Sequence, residues 1–228
     1  MRETIIYFDG KHEVLDTNTS HHIAHVLRKS VGDTLIGYDG FGNIYTLKIT
    51  SISKKAITVM VLDTESAPQT LPSITLILSA YKPQRLEFAL EKCTELGIDE
   101  FVITETEYSS ASIEHLQHKS SRFEKILQQA CLQSEQPWFP QLDFLSFEDV
   151  LNTSWNLPYV GVTKETQAPA QIERASHRTF FIGPEGGFSL LDIERIIDAG
   201  FTPIHPFEHV LRSETAAIAF ASLAQHYS

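Results

Sequence analysis

The spacing of hydrophobic residues divides the chain into two parts. In the first part, short β-rich runs stand between turn signals and predict four strands, at Ile5–Phe8, Thr34–Tyr38, Ile44–Ile49 and Ala56–Leu62. The turn at Asp39–Gly42 indicates a hairpin-like connection between the second and third strands. Ser20–Lys29 has apolar residues at helical spacing, with Ser20 as candidate N-cap. Several strands around one short helix predict a small barrel.

The second part has the alternating pattern of an α/β domain. Glu65–Ser73 carries two prolines and small polar residues, so we predict domains at residues 1–70 and 71–228. Apolar runs predict five strands, at Ile74–Ala80, Phe101–Thr104, Tyr159–Thr163, Phe180–Ile182 and Phe201–Ile204. Amphipathic stretches predict four helices, at Pro83–Leu96, Ser120–Leu132, Ser189–Ala199 and Ser213–Gln225. Strands that alternate with helices indicate a mainly parallel sheet.

Charge is distributed unevenly between the two parts. The 228 residues have a formal net charge of −11, which by itself argues against a nucleic-acid partner. However, the first 70 residues carry 7 basic and 8 acidic side chains, whereas the rest of the chain carries 11 basic and 21 acidic ones. Because a local patch can bind RNA in spite of the net charge, any RNA-facing surface is expected mainly on the first part.

Several features together indicate a cytoplasmic protein. The two cysteines, Cys93 and Cys131, are too few for a disulfide framework. No run approaches the roughly 20 apolar residues that a membrane helix needs. The first residues, Met1–Thr4, do not lead into the apolar core of a signal peptide. We therefore expect a reducing compartment and no membrane partner.

A glycine-rich loop between a strand and a helix is the leading candidate for ligand binding. The sequence F-I-G-P-E-G-G-F-S, residues 181–189, leaves an apolar strand and enters a helix with a capping-box start at Ser189 and Asp192. Glycines let the backbone approach a ligand closely, and such loops bind ligands at the carboxyl ends of parallel strands. The loop matches neither a P-loop nor the dinucleotide pattern. A tight turn without a ligand is the alternative interpretation.

A second loop with chemical potential follows before the last helix. The sequence V-L-R-S-E-T-A-A, residues 210–217, places Arg212 just ahead of the helix, next to any ligand that the loop holds. Ser213 is a candidate cap, and Glu214 suits the first turn because a carboxylate complements the helix dipole. Both loops leave strands, so we expect them to lie close together.

The two motifs, taken together, are similar to those of RsmE-type ribosomal RNA uridine-N3 methyltransferases, a branch of the SPOUT methyltransferases. Shorter matching segments occur along most of the chain, at His22–Arg28, Val31–Asp33, Asp39-Gly40, Glu91–Gly97 and Gln133-Ser134. The resemblance implies a PUA-like β-barrel RNA-binding domain over residues 1–70 and an α/β domain with a deep trefoil knot over residues 71–228. It also implies a homodimer with the RNA site across both subunits.

The resemblance further implies that S-adenosylmethionine binds between three loops. They correspond to Gly161–Glu165, Gly183–Gly187 and Ile204–Ser213. The implied cofactor-binding residues are Thr163, Gly183, Pro184, Glu185, Gly186, Gly187, Ile204, Val210, Leu211 and Ser213. The implied reaction is methylation of N3 of a uridine in 16S rRNA of the small ribosomal subunit, without a metal.

The reaction needs groups that orient the uracil and remove its N3 proton, since the neutral imide is a poor nucleophile. Arg212 is our candidate for holding the uracil or stabilising its developing anion. Glu214 or Glu185 could help with the proton, and a structural role for Glu214 is the favoured alternative.

Basic residues in both domains are candidates for RNA contact. Arg28 and Lys29 could form a patch with Lys48, Lys54 and Lys55, or be ordinary solvated charge. Lys82 and Arg85 stand at the end of the first strand of the second domain, where the family usually has a basic pair. His21 and His25 have the spacing of metal ligands, but a structural or RNA-contacting role is favoured.

The sequence departs from the family pattern at two places. Gln133-Ser134 leads into Glu135-Gln136 instead of a small residue and an arginine, so a cation that could meet RNA is missing. Phe207, Glu208 and His209 replace the usual Gly-Pro and basic residue before Val210, which alters the floor of the cofactor loop. These departures leave three alternatives open: another SPOUT enzyme acting on a ribose 2′-hydroxyl or a tRNA base, a non-catalytic RNA-binding protein, and a metabolic nucleotide-binding enzyme.

Overall fold

The computed structural model describes residues 4–53, 56–69, 73–163 and 172–226. The chain divides into two units, each with its own core. The first unit contains residues 1–69 and 131–139, and the second contains residues 70–130 and 140–228. Residues 131–139, which the sequence places well after the predicted boundary, therefore belong to the first unit.

The first unit is built on a four-stranded sheet. Its strands are β1 (Ile5–Tyr7), β2 (Thr34–Tyr38), β3 (Asn43–Ile52) and β4 (Ile57–Ser66). The order is β1-β2-β3-β4, with β1 parallel to β2 and the other pairs antiparallel. The predicted hairpin between β2 and β3 is confirmed, and the Asp39 carboxylate stabilises its turn by accepting from the backbone N–H of Phe41 at 2.8 Å. The side chains that face inward are apolar and include Leu35, Leu47 and Ile57.

The short helix of the first unit begins earlier than the sequence predicts. Helix α1 spans Thr17–His21, and its N-cap is Asp16, whose carboxylate accepts from the backbone of Asn18 and Thr19. Ser20 is therefore not the cap. Its buried hydroxyl donates to the carbonyl of Leu15 at 3.1 Å and accepts from the N–H of Ile57 at 3.0 Å, which ties the helix to β4. A π-helical turn, His22–Val26, follows directly.

Trp138 completes the first unit from a distant part of the sequence. It forms β-bridges with Gly40 and Phe41, and its indole Nε1–H donates to the carbonyl of Ala67 at 3.1 Å. Gly42 has a φ of +85°, and a Cβ there would collide with the Trp138 ring. Glycine at this position therefore permits both the turn and the close packing of the indole.

The second unit is an α/β fold around a six-stranded sheet. Its strands are β5 (Ser73–Ser79), β6 (Glu100–Thr104), β7 (Gln141–Phe144), β8 (Pro158–Gly161), β9 (His177–Ile182) and β10 (Thr202–Ile204). They lie in the order β10-β8-β9-β5-β6-β7, and every neighbouring pair is parallel, as the alternating pattern predicts. The helices are α2 (Pro83–Glu95), α3 (Ile113–Gln117), α4 (Ser120–Ser134), α5 (Phe147–Asn152), α6 (Leu190–Asp198) and α7 (Ser213–His226).

Both faces of this sheet are covered. Along β5, Leu76 and Leu78 enter one core cluster, which also receives α2 and α7, whereas Ile77 enters the cluster on the other face with α5 and α6. Along β9, Phe180 and Phe181 divide in the same way. This alternation explains the continuous apolar runs, because successive side chains of a strand point to opposite faces.

The topology places three loops at one edge of the sheet. Strands β10, β8 and β9 are adjacent and parallel, so the segments that follow them emerge side by side. Helix α7 follows the last of these segments and packs against β5, β9 and α2. Within the described residues, no helix has both the length and the apolar character to cross a membrane.

Candidate functional site

A cavity of about 350 Å³ lies at the carboxyl ends of β8, β9 and β10. Three loops line it, at residues 161–163, 182–188 and 205–211, together with the α7 residues Ser213, Ala216 and Phe220. Its volume falls in the range of small-molecule sites, and its position is where open parallel sheets bind ligands. The two sequence motifs, residues 181–189 and 210–217, therefore meet around one space.

Most of the predicted cofactor-binding residues line this cavity. The residues that do so are Thr163, Gly183, Pro184, Glu185, Gly186, Gly187, Val210, Leu211 and Ser213. Ile204 does not: it is fully buried in the core, where its carbonyl accepts from the N–H of Val162 at 2.9 Å. Through this hydrogen bond Ile204 holds the first loop, residues 161–163, without lining the cavity itself. Lys164 and Glu165, the end of the predicted first loop, lie outside the described residues.

The glycine-rich loop is shaped by a tight turn and a capped helix. The N–H of Gly187 donates to the carbonyl of Pro184 at 2.9 Å, and Gly187 has a φ of +73°, where a side chain would be strained. Helix α6 then begins with the predicted capping box, in which Ser189 and Asp192 exchange side-chain and backbone hydrogen bonds. The loop therefore enters a fixed helix start, with its backbone next to the cavity.

Aromatic side chains form the floor of the cavity. Phe207, the residue that departs from the family pattern, lies edge-on to Phe220 with ring centroids 5.2 Å apart. Both rings line the cavity, and Phe207 also packs against the main core cluster. The altered segment therefore packs through an apolar side chain, and the cavity floor that it helps to form suits the flat face of a nucleobase.

The two predicted catalytic residues lie beside the cavity without lining it. Arg212 is exposed, and its carbonyl accepts the first helical hydrogen bond of α7, from Ala216, at 2.7 Å. The helix begins at Ser213, so this serine is the first helical residue and not the predicted cap. Glu214 stands in the first turn, as predicted from the helix dipole.

Arg85 joins two of the candidate carboxylates. Its Nη1 lies 3.5 Å from Glu185 Oε1 and 3.9 Å from Glu214 Oε2. The other oxygen of Glu185, Oε2, accepts from the Ser110 hydroxyl at 2.7 Å. From the sequence we expect Arg85 to contact RNA, whereas in the structure its guanidinium lies beside two acidic side chains of its own domain.

Tyr81 is a member of this group that sequence analysis missed. It is fully buried, and its hydroxyl has no hydrogen-bond partner among the described residues. Burial raises its pKa well above the ordinary value, and the nearby Cys93, Glu214 and Glu185 raise it further. The residue ends an apolar run and reads as part of the core, so no signal in the sequence marks its position next to two carboxylates.

The other candidates for RNA contact are distributed over both units. Arg28 is exposed with a φ of +53°, and Lys29 is half-buried, both directly after the π-helical turn of the first unit. Lys82 is exposed at the N-cap position of α2. Lys48 is exposed on β3, while Lys54 and Lys55 lie outside the described residues.

The two histidines of the first unit pack against each other with their rings tilted by 43°. The rings of His21 and His25 have centroids 4.6 Å apart. In the part of the chain that the structure describes, no three histidine, cysteine or acidic residues are grouped in a way that could hold a metal ion.

Comparison with protein-family models gives two matches. The model described as an RNA methyltransferase domain matches residues 68–225. The model described as an RNA methyltransferase PUA domain matches residues 15–62. The two matches follow one another along the chain and together include the cavity, β2, β3 and the first part of β4.

Individual relatives agree with these models. The chain is similar to ribosomal RNA small subunit methyltransferase E of Synechocystis sp., with 30% identity over 92% of this chain and 71% of that protein. Its structure resembles that of a Legionella pneumophila methyltransferase in complex with the cofactor SAM, with 26% identity, a TM-score of 0.86 and coverage of 99% and 98% of the two chains. The fold also matches the Neisseria gonorrhoeae ribosomal RNA small subunit methyltransferase E, at 23% identity, a TM-score of 0.87 and coverage of 99% and 98%.

Proposed function

Because the chain belongs to the ribosomal RNA small subunit methyltransferase E family of RNA methyltransferases, we propose that it methylates N3 of a uridine in 16S rRNA with S-adenosylmethionine as methyl donor. The observation that carries the proposal is the cavity at the ends of β8, β9 and β10, where both sequence motifs meet. It acts, on this proposal, in the cytoplasm, on the small ribosomal subunit.

The residues of the cavity fit S-adenosylmethionine. The floor of Phe207 and Phe220 offers apolar surface to an adenine ring, and the loop around Gly183 and Gly186 offers backbone groups to the polar parts of the molecule. The described residues of the lining include no lysine or arginine, which suits a ligand that carries a positive sulfonium and no phosphate. When bound, S-adenosylmethionine supplies an already activated methyl group, so the protein has only to orient the nucleophile and manage its proton.

We propose that Arg212 acts on the uracil. It is exposed at the end of the loop that lines the cavity, and its side chain makes no hydrogen bond or ion pair with the residues that the structure describes. A guanidinium there can donate to the O2 or O4 oxygen on which negative charge develops as N3 loses its proton. This role makes Arg212 a contact to the substrate and not part of the internal ion-pair group.

The domain roles follow from the same family membership. We infer that residues 1–70 bind rRNA as a PUA-like domain, with Arg28 and Lys29 among the contacts, and that Lys82 adds a contact from residues 71–228. We also infer that the C-terminal domain carries a deep trefoil knot. The packing of α7 on β5 and β9, directly after the loop that lines the cavity, supports that path of the chain.

We further infer that the protein forms a homodimer. Leu190, Leu191 and Val210 are exposed by 82%, 61% and 80%, which is unusual for three apolar side chains in and next to cavity-lining segments. A second copy of the chain that covers them would bring its own residues towards the cavity.

The test is methyl transfer to small subunits that lack native modification. Wild-type protein, labelled S-adenosylmethionine and these subunits should yield N3-methyluridine by nucleoside mass spectrometry. Arg212→Ala should lower kcat/KM by about 100-fold, because one donor to a developing anion is removed. Arg195→Ala, which removes an exposed arginine paired with Glu148 in the same domain, is the matched control and should keep full activity.

Two outcomes would contradict the proposal. A methylated ribose or another methylated base in place of N3-methyluridine would assign the chain to a different RNA methylation. Binding of the subunit without any methyl transfer would identify a non-catalytic RNA-binding protein. Unchanged turnover of Arg212→Ala would refute the role of Arg212 alone.

A further inference from the structure

We propose that Glu185 accepts the N3 proton of the uracil and that Arg85 is the residue that positions it. The inference rests on the proposed function and assigns the proton acceptor that sequence analysis leaves open between Glu185 and Glu214. It depends on which carboxylate lines the cavity, on which oxygen of that carboxylate faces outwards, and on what holds it there.

Of the two carboxylates near Arg85, only Glu185 lines the cavity. Glu214 lies behind it in the first turn of α7, with a side chain that is 13% exposed. A proton acceptor must come within hydrogen-bond reach of the proton that it removes. Geometry therefore favours Glu185 for contact with a substrate at the mouth of the cavity, and Glu214 for a supporting role.

The two oxygens of Glu185 are in different surroundings. Oε1 is buried, receives no hydrogen bond from the described residues, and lies 3.5 Å from the Arg85 guanidinium. The side chain as a whole is 21% exposed, and the other carboxylate oxygen pairs with Ser110, an exposed residue. That oxygen, Oε2, accepts one hydrogen bond from Ser110 and has a second lone pair available for the N3–H group of a uracil.

Arg85 fixes this orientation from inside the domain. It reaches from the first turn of α2 to Glu185 in the glycine-rich loop and to Glu214 in α7, and thereby links three separate elements. Its distances of 3.5 and 3.9 Å are too long for hydrogen bonds, and catalytic contacts of this kind often shorten only when ligands bind. Among the described residues, neither the buried Oε2 of Glu214 nor the hydroxyl of Tyr81 has a hydrogen-bond partner, so the group has unused hydrogen-bonding capacity beside the guanidinium.

The chemical step balances with these groups alone. As the N3–H bond breaks, its proton moves to Glu185 Oε2 and its electron pair forms the bond from N3 to the methyl carbon. The bond from that carbon to the sulfonium breaks, and its electrons remain on sulfur as a neutral thioether. One positive and one negative charge disappear together, so the low-polarity floor of Phe207 and Phe220 favours the step.

The test compares Glu185→Gln with wild type over a range of pH. Glutamine keeps the size of the side chain and an acceptor for Ser110, but it does not take the proton. At neutral pH we expect kcat to fall by about 100-fold or more, with an unchanged dissociation constant for S-adenosylmethionine measured by calorimetry. The deficit should shrink as the pH rises, because the imide then ionises without help.

Arg85 and Glu214 give the second comparison. Arg85→Ala should lower kcat by roughly tenfold while the KM for RNA stays constant, and Arg85→Lys should restore part of the rate because it keeps the charge. Glu214→Gln should cost less than Glu185→Gln. Arg122→Ala, which removes the exposed ion pair between α4 and Glu87 of α2, is the matched control and should retain wild-type turnover.

Three results would overturn the inference. The first is wild-type kcat in Glu185→Gln. The second is a loss of cofactor affinity as large as the loss of rate, which would make Glu185 part of the cofactor loop only. The third is a deficit that does not change with pH. Failure of the proposed function would be distinct, because the wild-type protein would then form no N3-methyluridine at all.

Discussion

Arg178 is a buried cation that binds carbonyl groups of the backbone. Its side chain is 1% exposed, and its two terminal nitrogens donate to the carbonyls of Ala224 at 2.6 Å and Ala175 at 2.8 Å. Burial lowers its pKa, while the nearby Tyr159 opposes that effect. Ala224 lies in the last turn of α7, where positive charge complements the helix dipole. The hydrogen bond from Arg178 to Ala224 therefore holds the C-terminal end of α7, the helix whose first turns line the cavity.

Replacing Arg178 by lysine should destabilise the second unit. Lysine keeps the charge but does not reproduce the planar fork, so one carbonyl loses its donor and the free energy of unfolding should fall by about 2 kcal/mol. Denaturant unfolding followed by circular dichroism measures the change. Arg122→Lys is the control, since Arg122 is exposed and its pair with Glu87 is screened by water. Equal midpoints for the two variants would show that the buried fork contributes nothing.

The sequence identified residues of the site best where local chain geometry defines them. The glycines at 183, 186 and 187 are informative because a tight turn between a strand and a helix restricts the residue type. Arg85, Tyr81 and Ser110 come together only through the packing of β5, α2 and the loop after β6. No spacing along the chain encodes contacts between residues that are about 75 or more positions apart, such as Ser110 and Glu185.

The N-cap of helix α6 contributes to the stability of the protein and also holds the end of the glycine-rich loop. Ser189 accepts from the N–H of Asp192 at 3.1 Å and ends the glycine-rich loop. Ser189→Ala should lower the free energy of unfolding by about 1 kcal/mol because the cap is lost, and it should weaken binding of S-adenosylmethionine because the loop is no longer held at its end. Thermal unfolding and calorimetric titration measure the two effects.

Ser146→Ala separates these effects. Ser146 caps α5 through the equivalent hydrogen bond, accepting from the N–H of Asp149 at 3.1 Å, but neither it nor its neighbours in the chain line the cavity. We expect a similar loss of stability and an unchanged affinity for S-adenosylmethionine. If both variants bound the cofactor equally well, the cap of α6 would have no influence on the site.

Long elements with a clear period were predictable, as were the short strands β1, β8 and β10, whereas several other short elements were not. The apolar stripes of α2 and α7 and the continuous runs of β5 and β9 agree with the structure because burial imposes those patterns. The edge strand β7 and the helices α3 and α5 were missed, since four to six residues hold too few turns or alternations to show a period. The π-helical turn at His22–Val26 was read as ordinary helix, because its apolar residues fit both spacings.

On the scale of the whole molecule, Trp138 gives the first unit a part that comes from late in the sequence. Trp138→Ala removes a half-buried indole and its hydrogen bond to Ala67, which should cost about 2 kcal/mol in the first unit. Amide hydrogen exchange should therefore accelerate in β2 and β3 and stay unchanged in β5 and β9.

Trp155→Ala is the matched control for that measurement. Trp155 also donates its indole N–H to a backbone carbonyl, that of Val150 at 2.8 Å, but it packs in the second unit. It should accelerate exchange there and leave β2 and β3 protected. Two results would contradict the independence of the two cores. One is faster amide exchange of β2 and β3 in Trp155→Ala, and the other is unchanged exchange of these strands in Trp138→Ala.

The bridges of Trp138 to Gly40 and Phe41 also set an order of events during synthesis. A ribosome makes the four strands of the first sheet early, but residues 131–139 leave the exit tunnel only after β5, α2, β6 and most of α4 have been translated. Until then the first unit of the nascent chain is incomplete, because it lacks the indole that packs on Gly42 and donates a hydrogen bond to Ala67. Recombination therefore cannot move the complete N-terminal unit as one short segment, because a gene fragment that ends before the codon of Trp138 encodes the sheet without the indole that packs on it.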